Sequence, residues 1–205
     1  MYEVFGGGSE TTATDIEWAM VELMRNPRIM KKAQVEIRRS LKGKKEVDEK
    51  EIKQLNFLHA IVHKTLRLRP LRPLLIRESR EQCEINGYEL PNKTRVLINV
   101  WAVGRDPNCW TNADCFKPER FLGSSITYTS TNFEYIPFGA SKRMCLGISY
   151  AIATIEIVLA QLLYHFDWEL PSGMKVKELN MTETYRVSAR RRDDFYSIAT
   201  PAQQE

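Results

Sequence analysis

A single cysteine stands in a short loop that also contains glycine and two adjacent cations. The stretch PFGASKRMCLGIS, residues 137–149, places Cys145 directly before an apolar segment of helical composition. A helix amino terminus favours negative charge, and Lys142 and Arg143 add positive charge beside the sulfur. We therefore expect an accessible thiolate that can be a nucleophile, a redox centre or a metal ligand. A small buried core thiol is the competing interpretation.

A second stretch places an acid beside hydroxyl groups after three glycines. The sequence GGGSETTAT covers residues 6–14, but it is not followed by the Gly-Lys-Ser/Thr of a phosphate loop. Glu10, Thr11 and Thr12 instead form an acid and alcohol group in a helix whose glycines allow a flat or small molecule to approach the backbone. The alternative is a helix that begins at Ser9 as its cap.

Two further stretches carry cations in patterned positions. In HKTLRLRP, Lys64 and Arg67 are three residues apart and share one helix face, which predicts exposure to solvent. In FKPERF, residues 116–121, Pro118 stiffens a loop whose Glu119 and Arg120 lie between two phenylalanines. The alternative interpretation of this second stretch is an ordinary loop anchor.

Composition limits the function classes. The chain has 205 residues, of which 43% are hydrophobic and 27% are charged, so we expect one domain, residues 1–205, with a real core. The net charge is only +4, and the basic run RVSARRRDD, residues 186–194, contains two aspartates. A solvated face explains that run better than nucleic-acid binding does.

Neither secretion nor membrane insertion is predicted. The amino terminus lacks a cationic start and an apolar stretch, so the four cysteines are expected to be thiols. The segment ISYAIATIEIVLAQLLYHF approaches the length of a membrane span, but Glu156 and Gln161 favour a buried helix. We predict no membrane span in this chain.

The elements that position these residues are mainly helical. Helical composition predicts helices over 10–26, 28–41, 57–68 and about 148–165, with Pro27 and Pro70 as boundaries. An Asn-Gly turn and β-branched residues predict a small antiparallel sheet within residues 80–103. Residues 104–136 are predicted to be mostly loop, and the tail from residue 167 to form turns and short strands. The fold class is therefore mainly α with a small antiparallel β-sheet, an α+β fold.

Taken in order, the four stretches resemble the signature series of cytochrome P450 haem-thiolate monooxygenases, most closely those of plant specialised metabolism. The resemblance implies the carboxyl-terminal portion of that fold, a partial haem-binding domain that lacks the membrane anchor and the earlier helices. It also implies the endoplasmic reticulum membrane as the location of the family.

The resemblance assigns the cofactor and its contacts. Cys145 is similar to the proximal thiolate ligand of haem b iron, which favours O–O bond cleavage. Phe138, Arg143 and Gly147 match the rest of the haem-binding loop, in which the arginine pairs with a haem propionate. Arg77 is a weaker candidate for the same pairing.

The resemblance also assigns catalytic residues and partners. Glu10 and Thr11 match the acid and alcohol that hold oxygen and relay protons on the distal side of haem. The implied reaction inserts one atom of O2 into an apolar small molecule, with electrons from NADPH through cytochrome P450 reductase. Lys117, Lys142 and Arg143 are expected on the reductase surface. Residues 74–76 match a substrate-lining stretch.

Several positions depart from the family pattern. The glutamate of the family's Glu-x-x-Arg motif falls on Lys64, which would face Arg67 and Arg120, and we expect Lys64 to turn out to water. Ser141 replaces a glycine, with strain on the order of 1–2 kcal/mol if its φ is positive. Further replacements are Leu146, Arg69 and Leu71. These departures favour a non-catalytic remnant for the isolated chain. A thiol-dependent enzyme or redox protein leaves the other stretches unexplained.

Overall fold

The fold is a set of packed helices flanked by short hairpins. The computed structural model describes residues 2–44, 48–128, 131–185 and 188–203. Within these residues the α-helices are α1 (Tyr2–Arg25), α2 (Pro27–Ser40), α3 (Glu49–Ile52), α4 (Asn56–Leu68), α5 (Val100–Val103) and α6 (Ile148–His165). The mainly α prediction is confirmed.

The strands of the described residues pair into four separate two-stranded antiparallel sheets. They are β1 (Leu74–Glu78), β2 (Cys83–Ile85), β3 (Tyr88–Leu90), β4 (Arg95–Asn99), β5 (Phe166–Glu169), β6 (Glu183–Tyr185), β7 (Ala189–Arg191) and β8 (Ile198–Pro201). The pairs are β1 with β4, β2 with β3, β5 with β8, and β6 with β7.

The hydrophobic core lies where α1, α2 and α4 pack on α6. Its fully buried members include Leu23, Ile37, Leu58, Ile61 and Leu159. By length and composition alone, α6 could cross a membrane. In this fold its buried side chains form part of the core, as the sequence predicted.

Helix boundaries follow the prolines. Pro27 opens α2 and Pro70 follows the end of α4, because proline is tolerated in a first helical turn but not in a helix interior. The start of α1 was predicted incorrectly. It begins at Tyr2, so residues 6–8 are helical and Ser9 is an interior residue and not a cap.

The hairpin prediction is confirmed at its turn and wrong at its edges. Asn86 and Gly87 have φ values of 50° and 82°, the left-handed pair that a tight hairpin turn requires. However, β4 pairs with β1, which precedes the predicted range. Residues 100–103 form α5, because the Asn99 side chain accepts a hydrogen bond from the backbone N–H of Ala102 and caps the helix.

The remaining segments are close to prediction. Residues 104–136 are mostly loop, with a short 3-10 helix at Pro118–Phe121, and the tail forms β5 to β8. The solvated-face prediction for the basic run holds only in part. Residues 186 and 187 lie outside the described part of the chain. Arg191 is buried, and its guanidinium donates to the backbone carbonyl of Asn180.

Candidate functional site

The cysteine loop is closed by its own backbone. The N–H of Cys145 donates to the carbonyl of Phe138 over 3.0 Å, and a 3-10 turn at Ser141–Arg143 lies between them. Gly147 caps α6, so Cys145 lies just before the helix amino terminus. The thiol is exposed and free, which excludes the interpretation as a buried core thiol. A thiolate here can bind a metal or a large cofactor from the solvent side.

Two residues of this loop have left-handed backbone conformations. Gly139 has φ +77°, and Ser141, which the sequence resemblance matches to a glycine, has φ 64°. The backbone at Ser141 is therefore strained, as expected for a positive φ at this residue. A Cβ added to Gly139 would lie 3.7 Å from both Leu75 Cδ1 and Arg77 Nη2, so the loop packs against β1.

The structure brings Arg77 to the cysteine loop. Arg77 is half-buried on β1, and its Nη1 donates to the carbonyl of Ile76 over 3.0 Å. Arg143 lies in the cysteine loop itself, and its side chain is exposed. The backbone carbonyl oxygen of Arg143 lies 3.9 Å from the Cβ position of Gly139. Both arginines thus flank one loop, and both can bind carboxylates from solvent.

Phe138 anchors the loop to the protein. Its ring meets Tyr128 edge to face at 5.6 Å between centroids and packs against the hydrophobic core. Leu146, in contrast, is fully exposed beside Cys145. Leu146 therefore offers apolar surface to a ligand and adds nothing to the core.

The acid and alcohol group lies on the first half of α1. Ser188 Oγ donates to Glu10 Oε1 over 2.9 Å, so one oxygen of an otherwise exposed carboxylate has a fixed partner. Thr11 Oγ1 donates to the carbonyl of Gly7 within the helix. Thr12 Oγ1 is buried and has no hydrogen-bond partner among the described residues.

The glycines of α1 bring this group towards the cysteine loop. A Cβ added to Gly8 would lie 3.8 Å from Cε1 of Tyr150, in the first turn of α6. Gly8 is two residues before Glu10, and Tyr150 is five residues after Cys145. The two sequence motifs that resemble the distal and proximal sides of a haem site are thus near neighbours in the fold.

Lys64 contradicts its prediction. Its exposed fraction is 0%, and its Nζ has no hydrogen-bond partner among the described residues, so the side chain does not turn out to water. Burial, followed by the positive charges of Arg67 and Arg120, lowers the pKa of Lys64 to about 6. Lys64 lies on α4, which packs against the 3-10 helix Pro118–Phe121, so its side chain is enclosed beside Arg120 of that helix.

Among the described residues, Arg67 and Arg120 are held by backbone carbonyls and not by carboxylates. Arg67 donates to the carbonyls of Gly104 and Ala113, and Arg120 donates to those of Thr111 and Asn112. Both guanidinium groups lie over the ring of Trp110, at 4.7 Å and 5.9 Å from its centroid. The predicted exposure of Arg67 is therefore wrong, since only 2% of it is exposed.

Sequence reasoning missed the aromatic cluster beside these cations. The His63 ring stacks on Phe121 and Tyr128, and its Nδ1 lies 3.1 Å from the Tyr135 hydroxyl. Burial, with a smaller contribution from the charge of His59, lowers the pKa of His63 to about 4. His63 is thus neutral at physiological pH. The only available signal was the presence of aromatic residues, Phe121, Tyr128 and Tyr135, within the segment 104–136 that was predicted to be loop.

A conventional metal site is not part of the arrangement. Within the residues that the structure describes, no group of three or more His, Cys, Asp or Glu side chains could hold a metal ion. Any metal at Cys145 must therefore bring further ligands of its own, as an iron porphyrin does.

Comparison with known proteins agrees with the sequence resemblance. The family described as Cytochrome P450 matches residues 1–193. Desmethyl-deoxy-podophyllotoxin synthase of Sinopodophyllum hexandrum is 54% identical over 199 residues, which are 97% of this chain and 39% of the relative. Premnaspirodiene oxygenase of Hyoscyamus muticus is 50% identical over 204 residues, which are 99% of this chain and 41% of the relative.

The fold agrees as well. A zebra fish cytochrome P450 solved with abiraterone superposes with a TM-score of 0.88 at 28% sequence identity, over 98% of this chain and 46% of that structure. The chain spans about two fifths of the length of the curated relatives it matches. The family model, the curated relatives and the backbone agree, and the chain belongs to the cytochrome P450 family.

Proposed function

We propose that this chain forms the haem-binding part of a haem-dependent monooxygenase, in which the Cys145 thiolate would hold the iron. The observation that carries the proposal is the exposed Cys145 thiol at the start of α6, in a loop closed onto Phe138. Residues 1–205 would form one partial domain around this loop.

The residues present fit haem b. The Cys145 thiolate would bind the iron, and Arg77 and Arg143 would be available to pair with the propionates. Exposed apolar side chains near the loop, Leu146 and Tyr150, offer surface to the macrocycle. Gly147 leaves 3.9 Å between its Cβ position and the Cys145 sulfur, so the thiolate is not crowded by its neighbour.

Bound haem would supply the oxygen-activating chemistry, in which one atom of O2 enters the substrate and the other is reduced to water. The chain's own residues would deliver protons. Glu10 presents a carboxylate positioned by Ser188, and Thr11 presents a hydroxyl oxygen that can accept a hydrogen bond while its own O–H donates to the Gly7 carbonyl. Glu10 and Thr11 are therefore the proposed catalytic residues.

An apolar small molecule is the proposed substrate. Leu74 and Ile76 on β1 are exposed apolar side chains at the predicted lining stretch, on the strand that packs against the cysteine loop. The relatives are named as a podophyllotoxin-type synthase and a premnaspirodiene oxygenase, and both names describe small organic molecules. Substrate selectivity would depend in part on residues outside β1.

Cytochrome P450 reductase, with NADPH as electron donor, is the proposed partner, and the endoplasmic reticulum membrane the proposed location. Lys117, Lys142 and Arg143 are all exposed and can contribute to a basic docking surface. Resemblance to membrane-bound plant enzymes supports the location.

A non-catalytic remnant is the alternative, and one observation favours it. Lys64 lies fully buried among cations where the family carries a carboxylate. Burying an unpaired charge, or an amine without hydrogen-bond partners, destabilises a fold. A chain that folds poorly for this reason would not retain haem.

The experiment is an absorption spectrum of the purified chain, expressed with haem supply, reduced and exposed to carbon monoxide. We expect a strongly red-shifted Soret band in the unmodified chain and its loss in Cys145→Ser. Cys109→Ser, at another exposed free thiol, is the matched control and should keep the band. No haem in the unmodified chain would support the remnant, and a red-shifted band in Cys145→Ser would exclude Cys145 as the ligand.

A further inference from the structure

Three cationic side chains on two segments leave unused hydrogen-bond donors in the protein interior. They are Lys64 Nζ, Arg67 Nε and Arg120 Nε, each buried and without an acceptor in the described part of the chain. Lys64 and Arg67 lie on one face of α4, and Arg120 lies in the 3-10 helix that packs against α4.

We propose that these three groups form a binding site for one small monovalent anion, such as chloride or formate. The site would be specific to this chain, because the family's glutamate at position 64 would itself supply the negative charge. The proposal does not depend on haem binding or on monooxygenase activity.

The backbone carbonyls do not satisfy this cluster. The carbonyls of Gly104, Ala113, Thr111 and Asn112 accept from terminal guanidinium nitrogens and leave both Nε–H groups unused. Lys64 Nζ has no acceptor in the part of the chain that the structure describes. An anion between the three donors would accept charge-assisted hydrogen bonds from the two guanidinium groups. Its negative charge would also raise the pKa of Lys64, which is about 6 in its absence, and favour the ammonium form as the third donor.

Nearby acidic groups are committed elsewhere. Glu22 faces Lys64 from α1, but its carboxylate accepts from Arg69 over 2.9 Å. Asp114 faces Arg67 and accepts from Arg105 over 3.2 Å. The thiol of Cys115 is the remaining ionisable group near Lys64 that could carry negative charge. The cluster therefore has an excess of positive charge.

The burial of the donor side chains limits the size of the anion that can bind to them. Lys64 is 0% exposed and Arg67 is 2% exposed, so a large organic anion has no access to the donors. Chloride is compact, and formate is the smallest carboxylate that resembles the end of a glutamate side chain. Both are therefore suitable probes, whereas gluconate is too bulky to enter.

The test is thermal unfolding of the purified chain at pH 7, in sodium chloride and in sodium gluconate at equal ionic strength. At saturating chloride we expect a Tm about 4 °C higher than in gluconate, because a ligand that binds only the folded state stabilises it. Formate should give the same effect. Lys64→Met should abolish the difference between salts, whereas Lys42→Met, at an exposed lysine, should retain it.

Three outcomes would overturn the proposal. One is an equal Tm in both salts, and another is a chloride effect that persists in Lys64→Met. The third is an absence of folded signal by circular dichroism in both salts, since bound anion would then fail to offset the cations. Broadening of the chloride NMR line by the unmodified chain, and its reversal by formate, would support direct binding at one site.

Discussion

At the scale of single residues, Ser141 shows how a local departure from the family pattern acts. Its φ of 64° is a conformation that glycine adopts without steric cost, whereas a side chain there is strained. The strain lies in the loop that presents Cys145. The loop nevertheless closes, because the Cys145 N–H reaches the Phe138 carbonyl.

Ser141→Gly should raise the free energy of unfolding by about 0.5–1 kcal/mol, because relief of strain exceeds the added freedom of the unfolded chain. Urea unfolding followed by circular dichroism measures the change. Ser172→Gly, at an exposed turn residue without positive φ, is the control and should lower stability slightly. Equal changes in both variants would show that position 141 is not strained.

At the scale of elements, helices are joined by buried polar pairs as well as by the apolar core. His59 on α4 and Glu156 on α6 lie 2.5 Å apart between Nδ1 and Oε1. Burial lowers the pKa of His59, but the hydrogen bond and charge of Glu156 outweigh it, so the pKa is raised overall. The pair thus stabilises the fold below the ordinary histidine pKa, and this contribution is lost as pH rises through the folded value.

Glu156→Gln should lower the pKa of His59, because burial remains while the negative charge is removed. An NMR titration of the histidine ring protons measures this shift directly. His63 is the internal control, since its pKa of about 4 depends mainly on burial and should change little. An unchanged His59 titration would mean that Glu156 does not set its charge.

Arg69 joins three elements. From the end of α4 it donates to Glu22 on α1 over 2.9 Å and to Glu183 on β6 over 2.7 Å, and it lies over the Trp18 ring. From sequence alone, Arg69, at a position matched to the usual histidine of the family, counted among the departures that favour a non-catalytic remnant. The contacts indicate a residue that is integrated into the fold.

Restoring the family residue with Arg69→His should therefore destabilise the chain, by about 3 kcal/mol, because the buried Glu22 carboxylate and the partly buried Glu183 carboxylate each lose an ion pair. Urea unfolding gives the value. Arg192→His removes a similar ion pair at the surface, with Asp193, and should change stability little. If Arg69→His left stability unchanged or raised it, Arg69 would again count as a departure that favours a non-catalytic remnant.

Local signals explain which elements were predictable. Pro27, Pro70 and the Asn86–Gly87 turn act through their own backbone geometry, so the boundaries that they set were predicted correctly. The pairing of β1 with β4 depends on contacts about twenty residues apart and was missed. The cysteine loop was recognisable as a motif, but the Ser188 partner of Glu10 lies 178 residues away and has no local signal.

At the scale of the whole molecule, the burial of Lys64 is a property of the assembled fold. Helical spacing predicts a shared face with Arg67, which is correct, but it cannot predict that the loop containing Pro118 covers this face. Three cations meet only because α4 and that loop pack together. Bringing the three cations together lowers the free energy of unfolding of the whole chain. The cluster therefore affects any function that requires the folded chain.

Lys64→Glu should increase haem retention severalfold in the purified chain, because a carboxylate would lie between Arg67 and Arg120 and use their free Nε–H donors. The ratio of Soret to protein absorbance measures occupancy after expression with haem supply. Lys42→Glu makes the same charge change at an exposed position and should leave occupancy unchanged. Unchanged occupancy in Lys64→Glu, with an increased Tm, would show that the cluster limits stability but not haem binding. Unchanged occupancy and unchanged Tm would show that the fold already compensates the three cations, by a bound anion or by a neutral Lys64.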